Sequence, residues 1–326
     1  MAFLEFKEVT RKYPDFTLSL SFSVEEGKLL SVIGPSGAGK STLLSLLSGQ
    51  EAPDSGKIFL NGKDITGTRI QDRHIGMIFQ DFSLFPSMDT GKNVTYGMKH
   101  KRAKEKARRC SELLELVGLK GYERRSVSTL SGGEAQRVAL ARALASEPGI
   151  LLMDEALSAL DPPMRRRLRG VIRNVHDQIG MTMLHVTHDI DEAFAISDEI
   201  LLLKDGKVEA QGTSEELYNH PGSLFTAFFT GNGTSLPASL IFEDKEGSVF
   251  FRPESVLLTE DEINPALHPM HIVLNNAEIV SADFIGSGYL LGLDYKGYPV
   301  LARSPVKPRR QYVSLMIIRD AVHFLT

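Results

Sequence analysis

Gly34-Pro35-Ser36-Gly37-Ala38-Gly39-Lys40-Ser41-Thr42 fits the pattern G-x-x-x-x-G-K-[ST], and it lies between an apolar run and a helical pattern. A predicted strand before it and a predicted helix after it are the context that a phosphate-binding loop requires. Glycines let successive backbone N–H groups turn toward a phosphate, and the following helix adds the positive end of its dipole. We expect this loop to bind the phosphates of a nucleotide, with Lys40 at the β- and γ-phosphates and the Ser41 hydroxyl on Mg²⁺.

Two carboxylates end a second apolar run, Ile150-Leu151-Leu152-Met153-Asp154-Glu155. They follow a predicted buried strand at its carboxyl end, where open α/β sheets bind ligands. Adjacent side chains on an extended chain point in opposite directions, so the two acids suit different roles. We expect Asp154 to serve the Mg²⁺ shell and Glu155 to act as a general base on water. Alone, such a pair is more often a helix N-terminal feature, but the phosphate loop favours the catalytic interpretation.

A second predicted helix start lies at Leu130-Ser131-Gly132-Gly133-Glu134. Ser131 is a suitable N-cap residue, and the glycines expose the first N–H groups of the helix, so an anion could bind there. The segment is also typical of an ordinary capped helix. One phosphate loop together with a second, separate anion-binding helix start needs some further geometry to explain it.

The rest of the chain predicts two domains. Up to about residue 230, short apolar runs alternate with helical patterns, which indicates a mostly parallel sheet covered by helices. Asp205-Gly206 predicts a tight hairpin, and the basic cluster within the helical stretch 99–118 is typical of a solvated helix face. Buried strands are predicted over 28–34, 150–154 and 181–187. We therefore predict an α/β domain over 1–232, a linker over 233–239 and a small all-β, barrel-like domain over 240–326.

Composition excludes several classes of protein. The chain has 326 residues, 42% of them hydrophobic and 24% charged, which are globular values. A formal net charge of −4 argues against a nucleic-acid partner, because phosphate neutralisation needs a basic surface. Cys110 has no second cysteine with which to form a disulfide. The sequence shows no secretory signal and no apolar run long enough to span a bilayer, so a membrane role is expected to require partner subunits.

Over residues 1–230 the sequence resembles the ATP-binding cassette family, the nucleotide-binding subunits of ABC transporters, because these motifs occur in the family's order. The resemblance implies an α/β phosphate-loop ATPase domain with a helical subdomain, and ATP and Mg²⁺ as its ligands. It places Tyr13 against adenine, with Phe16 as the alternative. It also implies that Gln80 contacts Mg²⁺ and the attacking water, and that 81–86 receives the coupling helix of a membrane subunit.

The resemblance also assigns roles to the remaining motifs. Asp154 corresponds to the acid that binds Mg²⁺, and Glu155 to the catalytic glutamate. Ala156 follows them at a position where proline is common in the family. His188 corresponds to the histidine that contacts the γ-phosphate. In this family the signature of one chain covers the ATP on the phosphate loop of another, so two cassettes are implied, a homodimer or a heterodimer. The residues implied to bind ATP in trans are Ser131, Gly132, Gly133, Glu134, which stands where glutamine is commoner, and Asp161.

The C-terminal region resembles the transport-associated β-domain of importer ATPases, most clearly over 251–258. This implies a peripheral subunit on the cytoplasmic face of the membrane, bound to permease subunits and served indirectly by an extracytoplasmic solute-binding protein. The implied solute is an inorganic ion such as ferric iron, sulfate or molybdate, a polyamine or another small solute. The alternatives are a sugar importer ATPase, a soluble ABC ATPase outside transport, and a solute sensor with a vestigial cassette.

Overall fold

The computed structural model describes residues 2–98, 101–158, 160–242 and 245–325. Lys99 of the predicted helix 99–118 and Ala159, between the catalytic acids and Asp161, lie outside the described residues. The chain divides into two compact units, Met1–Ser214 and Glu215–Thr326. The functional bounds predicted from the sequence, 1–232 and 240–326, stay a prediction.

The first unit is built on one large sheet. Its strands, within the described residues, are β1 Ala2–Tyr13, β2 Phe16–Glu25, β3 Leu29–Ile33, β4 Ser55–Leu60, β5 Lys63–Asp64, β6 Ile75–Ile78, β7 Ile150–Asp154, β8 Thr182–Val186, β9 Glu199–Lys204 and β10 Lys207–Gly212. They lie in the order β5-β4-β1-β2-β10-β9-β3-β8-β7-β6. The predicted buried strands at 28–34, 150–154 and 181–187 are confirmed as β3, β7 and β8, and the predicted hairpin is confirmed as β9 and β10.

The prediction of a mostly parallel sheet describes only one side of it. β9, β3, β8, β7 and β6 pair in parallel, whereas β5, β4, β1 and β2 pair antiparallel. The reason is local, because only Pro14 and Asp15 separate β1 from β2, and a two-residue connection can join only antiparallel neighbours. The parallel side brings the carboxyl ends of β3, β7 and β8 to one edge of the sheet.

Among the described residues of the first unit, six α-helices accompany this sheet. They are α1 Lys40–Ser48, α2 Thr90–Thr95, α3 Ala103–Leu116, α4 Gly132–Ala145, α5 Pro162–Ile179 and α6 Ile190–Ile196. The sheet is buried on both faces: Leu30 and Leu152 pack into one hydrophobic core with α1, and Leu29 and Leu151 into another with α3 and α4. β3, β7 and β8 are therefore mostly apolar, as is typical of strands covered on both sides, with Ser31, Thr182, His185 and Asp154 as their polar residues.

Within its described residues the second unit has two short helices, the first of which begins at the last residue of the first unit, and two antiparallel sheets. The helices are α7 Ser214–Asn219 and α8 Leu224–Thr230, and the strands are β11 Thr234–Pro237, β12 Ser248–Phe251, β13 Val256–Thr259, β14 His271–Phe284, β15 Tyr289–Tyr295, β16 Tyr298–Ser304, β17 Tyr312–Ile318 and β18 His323–Leu325. The sheet orders are β11-β12-β18 and β13-β17-β14-β15-β16, and both sheets contribute to one core. The range predicted as a linker, 233–239, contains the strand β11, which pairs with β12. Its residue Leu236 is fully buried in the same core, so this segment is part of the packed unit.

Candidate active site

The phosphate loop lies between β3 and α1, and close contacts require glycine at two of its positions, Gly34 and Gly39. Gly34 has φ 152°, and a Cβ there would lie 2.3 Å from the carbonyl oxygen of Leu203. Gly39 has φ 102°, and a Cβ there would lie 2.4 Å from Leu18. Gly39 is also the N-cap of α1, and no side chain caps this helix. The first N–H groups of α1 are therefore available to an anion, as the sequence predicts.

The side chain of Lys40 is held across the phosphate loop by two carbonyl groups of the loop backbone. Its Nζ donates to the carbonyl oxygens of Gly34 at 2.8 Å and Pro35 at 2.9 Å. Burial lowers the pKa of Lys40, and the negative charge of Glu155 opposes that shift. The ammonium group is thus positioned at the loop, near the predicted catalytic carboxylate, before any phosphate binds.

A cleft of about 480 Å³ surrounds these groups. Tyr13 and Phe16 stack at its edge with their ring centres 6.2 Å apart, and the Tyr13 hydroxyl donates to Glu51 at 2.6 Å. Both predicted adenine contacts therefore lie in the cleft, and the choice between them stays a prediction. The cleft is lined by Tyr13, Phe16, Ser36, Gly37, Gly39, Lys40, Ser41, Thr42 and Glu155. Gln80, Asp154 and His188 are not part of this lining, as far as the described residues extend.

Glu155 follows β7 in a left-handed backbone conformation, with φ 44°. Its N–H donates to the carbonyl of Val186 at 3.0 Å, and its carbonyl accepts from the N–H of Ser158 at 3.0 Å and from its hydroxyl at 2.8 Å. A non-glycine residue keeps this conformation only where the surroundings enforce it. The buried Gln136 amide of α4 also donates to the Ala156 carbonyl. These bonds hold the backbone at Ala156, where proline is common.

Asp154 is half-buried at the end of β7. Burial raises its pKa most, and the neighbouring charge of Glu155 raises it further, while His185 lowers it. A partly buried carboxylate beside a second carboxylate is a site where a cation relieves repulsion. Ser41, Gln80 and Asp154 would supply hydroxyl, amide and carboxylate oxygens, the hard donors that Mg²⁺ prefers. The residue types therefore fit the predicted ion.

His188 is exposed and reaches toward Glu155, with Nδ1 3.5 Å from Oε1. A buried network behind it was not predicted from the sequence. Thr187 donates to Glu192 at 3.2 Å and accepts from the N–H of Asp189 at 3.0 Å, and Glu192 Oε1 lies 2.9 Å from Nε2 of His185. His185 occupies an apolar strand and Glu192 a short helix, so spacing alone does not pair them. The network fixes the backbone on both sides of His188.

The signature residues lie at the start of α4, apart from the cleft. Ser131 caps the helix and is exposed together with Gly132, whereas a Cβ on the buried Gly133 would lie 2.5 Å from Met164 Sδ. Asp161 caps α5 by accepting the N–H of Met164 at 2.8 Å. A separate cavity of about 170 Å³ lies beside Ser131, Gly133 and Glu134. The chain thus carries the phosphate loop and the signature at two distinct places.

Glu134 is engaged within its own chain. One carboxylate oxygen accepts from the N–H and hydroxyl of Ser131 at 2.8 and 3.0 Å, and the other accepts from Tyr122 at 2.7 Å and Arg125 at 3.2 Å. These bonds, that of the Ser131 N–H foremost, lower the pKa of Glu134 to about 2. A carboxylate has about four acceptor positions, and all are used. The predicted binding of a partner's ATP by Glu134 stays a prediction.

Comparison with known proteins identifies the family. The profile described as "ABC transporter" matches residues 18–158. The Fe(3+) ions import ATP-binding protein FbpC of Photorhabdus laumondii is 39% identical over 312 residues, which cover 92% of this chain and 89% of that protein. The chain belongs to the ABC transporter family. The Sulfate/thiosulfate import ATP-binding protein CysA of Synechococcus elongatus is 43% identical over 270 residues, covering 80% of this chain and 78% of that protein.

Solved structures give the same family. CbiO1 of Clostridium perfringens, described as part of the ABC transporter complex cbiONQ, has a TM-score of 0.62 and 30% identity, covering 66% of this chain and 90% of that one. MJ1267, an ATP-binding cassette of an ABC transporter, has a TM-score of 0.59 and 25% identity, covering 65% and 92%. The predicted resemblance, the α/β fold class with its β-rich C-terminal unit, and the enzyme class, an ATPase, are confirmed. None of the described helices has the length and apolar character needed to cross a membrane.

Proposed function

We propose that this ABC ATPase energises the import of an inorganic ion such as ferric iron or sulfate. The observation that carries the chemistry is the shared cleft of Lys40, Ser41 and Glu155, with Glu155 held by backbone bonds in a strained conformation. The choice of solute rests on the relatives, whose names give ferric iron and sulfate or thiosulfate import. These relatives favour import of an inorganic ion over the alternatives of a sugar importer, a solute sensor and an ABC ATPase outside transport.

The chain's own groups suffice to describe the hydrolytic step. Glu155 would accept a proton from a water molecule while the water oxygen bonds to the γ-phosphorus of ATP. The bond between the γ-phosphorus and the oxygen that stays with ADP breaks in the same step. The Lys40 ammonium and the free N–H groups of α1 would stabilise the negative charge on the phosphate oxygens. His188, 3.5 Å from Glu155, would contact the γ-phosphate at the open side of the cleft.

We further propose that Ser41, Gln80 and Asp154 hold the Mg²⁺ that accompanies ATP. The ion would supply charge neutralisation to the phosphate oxygens. Support comes from the donor types and from Asp154, whose pKa is raised mainly by burial and then by the charge of Glu155. Tyr13, or Phe16, would stack on adenine, and the remaining loop residues, Gly34 to Thr42, would bind the phosphates.

A second cassette is part of this proposal. Ser131 and Gly132 are exposed away from the phosphate loop of their own chain, so they would complete the nucleotide site of a partner, together with Gly133 and Asp161. Two identical chains would satisfy this arrangement twice, and we propose a homodimer. Glu134, whose carboxylate also accepts the N–H of Ser131 at the signature cap, would belong to the same set of nucleotide contacts.

The remaining partners follow from the same proposal. Permease subunits would dock at 81–86 on the cytoplasmic face of the membrane, and an extracytoplasmic solute-binding protein would deliver the ion. The ATPase would occupy 1–232, and 240–326 would be a regulatory domain. The half-buried Phe82, Leu84 and Phe85 of the docking segment are the kind of apolar surface that a partner helix covers.

The test combines hydrolysis and uptake. E155Q should bind ATP normally, remain dimeric with it and lose more than about a hundredfold in kcat, whereas K40A should weaken binding of a fluorescent ATP analogue. E115Q, a change at an exposed glutamate paired with Lys120, is the matched control and should hydrolyse normally. In cells lacking the gene, uptake of radiolabelled ferric iron or sulfate should return with the parent protein and not with E155Q. Hydrolysis by E155Q at the parent rate would overturn the catalytic role of Glu155. If the parent protein restores uptake of neither ion, the proposed transport role is overturned.

A further inference from the structure

The loop after Gln80 contains two consecutive residues in left-handed backbone conformations. Phe82 has φ 60° and Ser83 has φ 42°, and neither is a glycine. Such conformations persist only where surrounding groups hold them. Within the loop, the N–H of Phe82 donates to the carbonyl of Phe79 at 3.1 Å, and the hydroxyl of the exposed Ser83 bonds to Asp81 at 2.6 Å. Neither bond involves the carbonyls of Phe82 and Ser83, so a group outside the loop must hold them.

Arg142 of α4 supplies that support. Its Nη2 donates to the carbonyl of Phe82 at 2.8 Å and its Nη1 donates to the carbonyl of Ser83 at 2.7 Å. The guanidinium also lies 5.6 Å from the centre of the Phe85 ring. The rigid fork of arginine matches two adjacent acceptors in a way that a lysine does not. The two carbonyls of the strained turn are thus held by one side chain.

A second contact fixes the far end of the same loop. The fully buried Asn93 of α2 accepts the N–H of Phe85 at 2.8 Å and donates to its carbonyl at 3.1 Å. Asn93 also donates to the carbonyl of Asp89, the N-cap residue of α2. Phe85 is therefore anchored to the helical region by a paired amide contact. Between Gln80 and Phe85, Arg142 of α4 donates the hydrogen bonds to the carbonyls of the turn.

The helix that carries Arg142 contacts two other functional segments. It starts with the Ser131 cap of the signature, and near its middle Gln136 donates to the Ala156 carbonyl, next to Glu155. A 14-residue α-helix is about 20 Å long and moves as a unit. The signature cap and the arginine that holds the turn after Gln80 thus belong to one helix.

We propose that Arg142 is a positioning residue that ties Gln80 to the signature helix. Among the described residues it has no hydrogen bond to the phosphate loop or to the lining of the cleft, and it acts on hydrolysis through the backbone after Gln80. This inference rests on the proposed role of Gln80 at Mg²⁺ and water. It adds a specific residue and contact through which the position of the signature sets the position of that glutamine.

The test is a double-mutant cycle on ATP hydrolysis by the full chain. R142Q should lower kcat by about tenfold, the order expected when a catalytic group is displaced by less than 1 Å, and should leave KM for ATP within about twofold. In a Q80A background the same change should alter kcat by less than about twofold. R173Q is the matched control, because Arg173 also joins a helix to a carbonyl, that of Ile196, away from the cleft. Its kcat should stay near that of the parent.

A second variant guards against simple loss of folding. Glycine adopts left-handed backbone readily, so adding S83G to R142Q should recover part of the lost kcat. If the effects of R142Q and Q80A on kcat are additive, or if R142Q raises KM without lowering kcat, the role of Arg142 is overturned. The proposed role of Gln80 would then still stand. Parent-like hydrolysis by Q80A instead overturns the proposed role of Gln80, and this inference with it.

Discussion

Replacing Glu134 by glutamine, the commoner residue at this signature position, should destabilise this protein. The carboxylate accepts four hydrogen bonds, two from Ser131 and one each from Tyr122 and Arg125. A glutamine amide has one accepting oxygen, and its NH₂ group would face donors on the other side. The hydroxyls of Ser131 and Tyr122 can turn to accept, but the Ser131 N–H and the Arg125 guanidinium cannot. Either orientation of the amide therefore loses one of these two bonds.

The magnitude follows from the bond that is lost. A hydrogen bond to a charged group contributes about 1.5–3 kcal/mol, and the Arg125 side chain is 40% exposed, which weakens that contact through solvent screening. We therefore expect E134Q to lose about 1–2 kcal/mol of unfolding free energy. For a unit of this size the melting temperature should fall by roughly 3–6 °C. E115Q is the control, because the surface pair of Glu115 with Lys120 should contribute less than about 0.5 kcal/mol.

The pH dependence gives a separate check. The folded-state pKa of Glu134 is lowered from 4.5 to about 2, mainly by the Ser131 N–H and next by Tyr122. Its stabilising contribution is therefore present above pH 4.5 and is lost as the pH falls toward 2. Urea unfolding followed by circular dichroism at several pH values should show the gap between parent and E134Q closing over that range. Equal unfolding free energies of the two proteins at pH 7 would refute the reasoning. A difference in unfolding free energy that stays the same at every pH would refute it as well.

Further predictions concern other buried contacts. G34A should lose ATP binding and at least about 2 kcal/mol of stability, because its Cβ would lie 2.3 Å from the Leu203 carbonyl oxygen; parent-like nucleotide titration would contradict this. Burial raises the pKa of Cys110 to about 11, so at pH 8 the native thiol should react with a disulfide reagent about a hundredfold more slowly than the unfolded chain. R252M should cost about 3 kcal/mol or more, since Arg252 donates to the carbonyls of Tyr218, Ala227, Gly231 and Asn232; a melting temperature unchanged from the parent would exclude that role.

The sequence alone determined the features that depend on neighbouring residues. The phosphate loop is contiguous, and its glycines, lysine and hydroxyl act within one turn of chain, so Gly34 to Thr42 could be read directly. The same holds for the acids that end β7 and for the Ser131 cap. The apolar runs of β3, β7 and β8 likewise predicted buried strands, because burial on both faces removes polar positions. The order of these motifs also indicated the family.

Only the tertiary structure decided which distant groups meet. The contacts of Glu134 with Tyr122 and Arg125, of Gln136 with Ala156, and of Arg142 with the turn after Gln80 join residues of different elements. No spacing rule predicts them, because they depend on how helix faces and loops pack. The same physics explains the error about the sheet: local patterns predict strands, but the antiparallel half follows from chain connections and long-range pairing. The motifs of this protein are local, whereas the contacts that hold them in working positions are not.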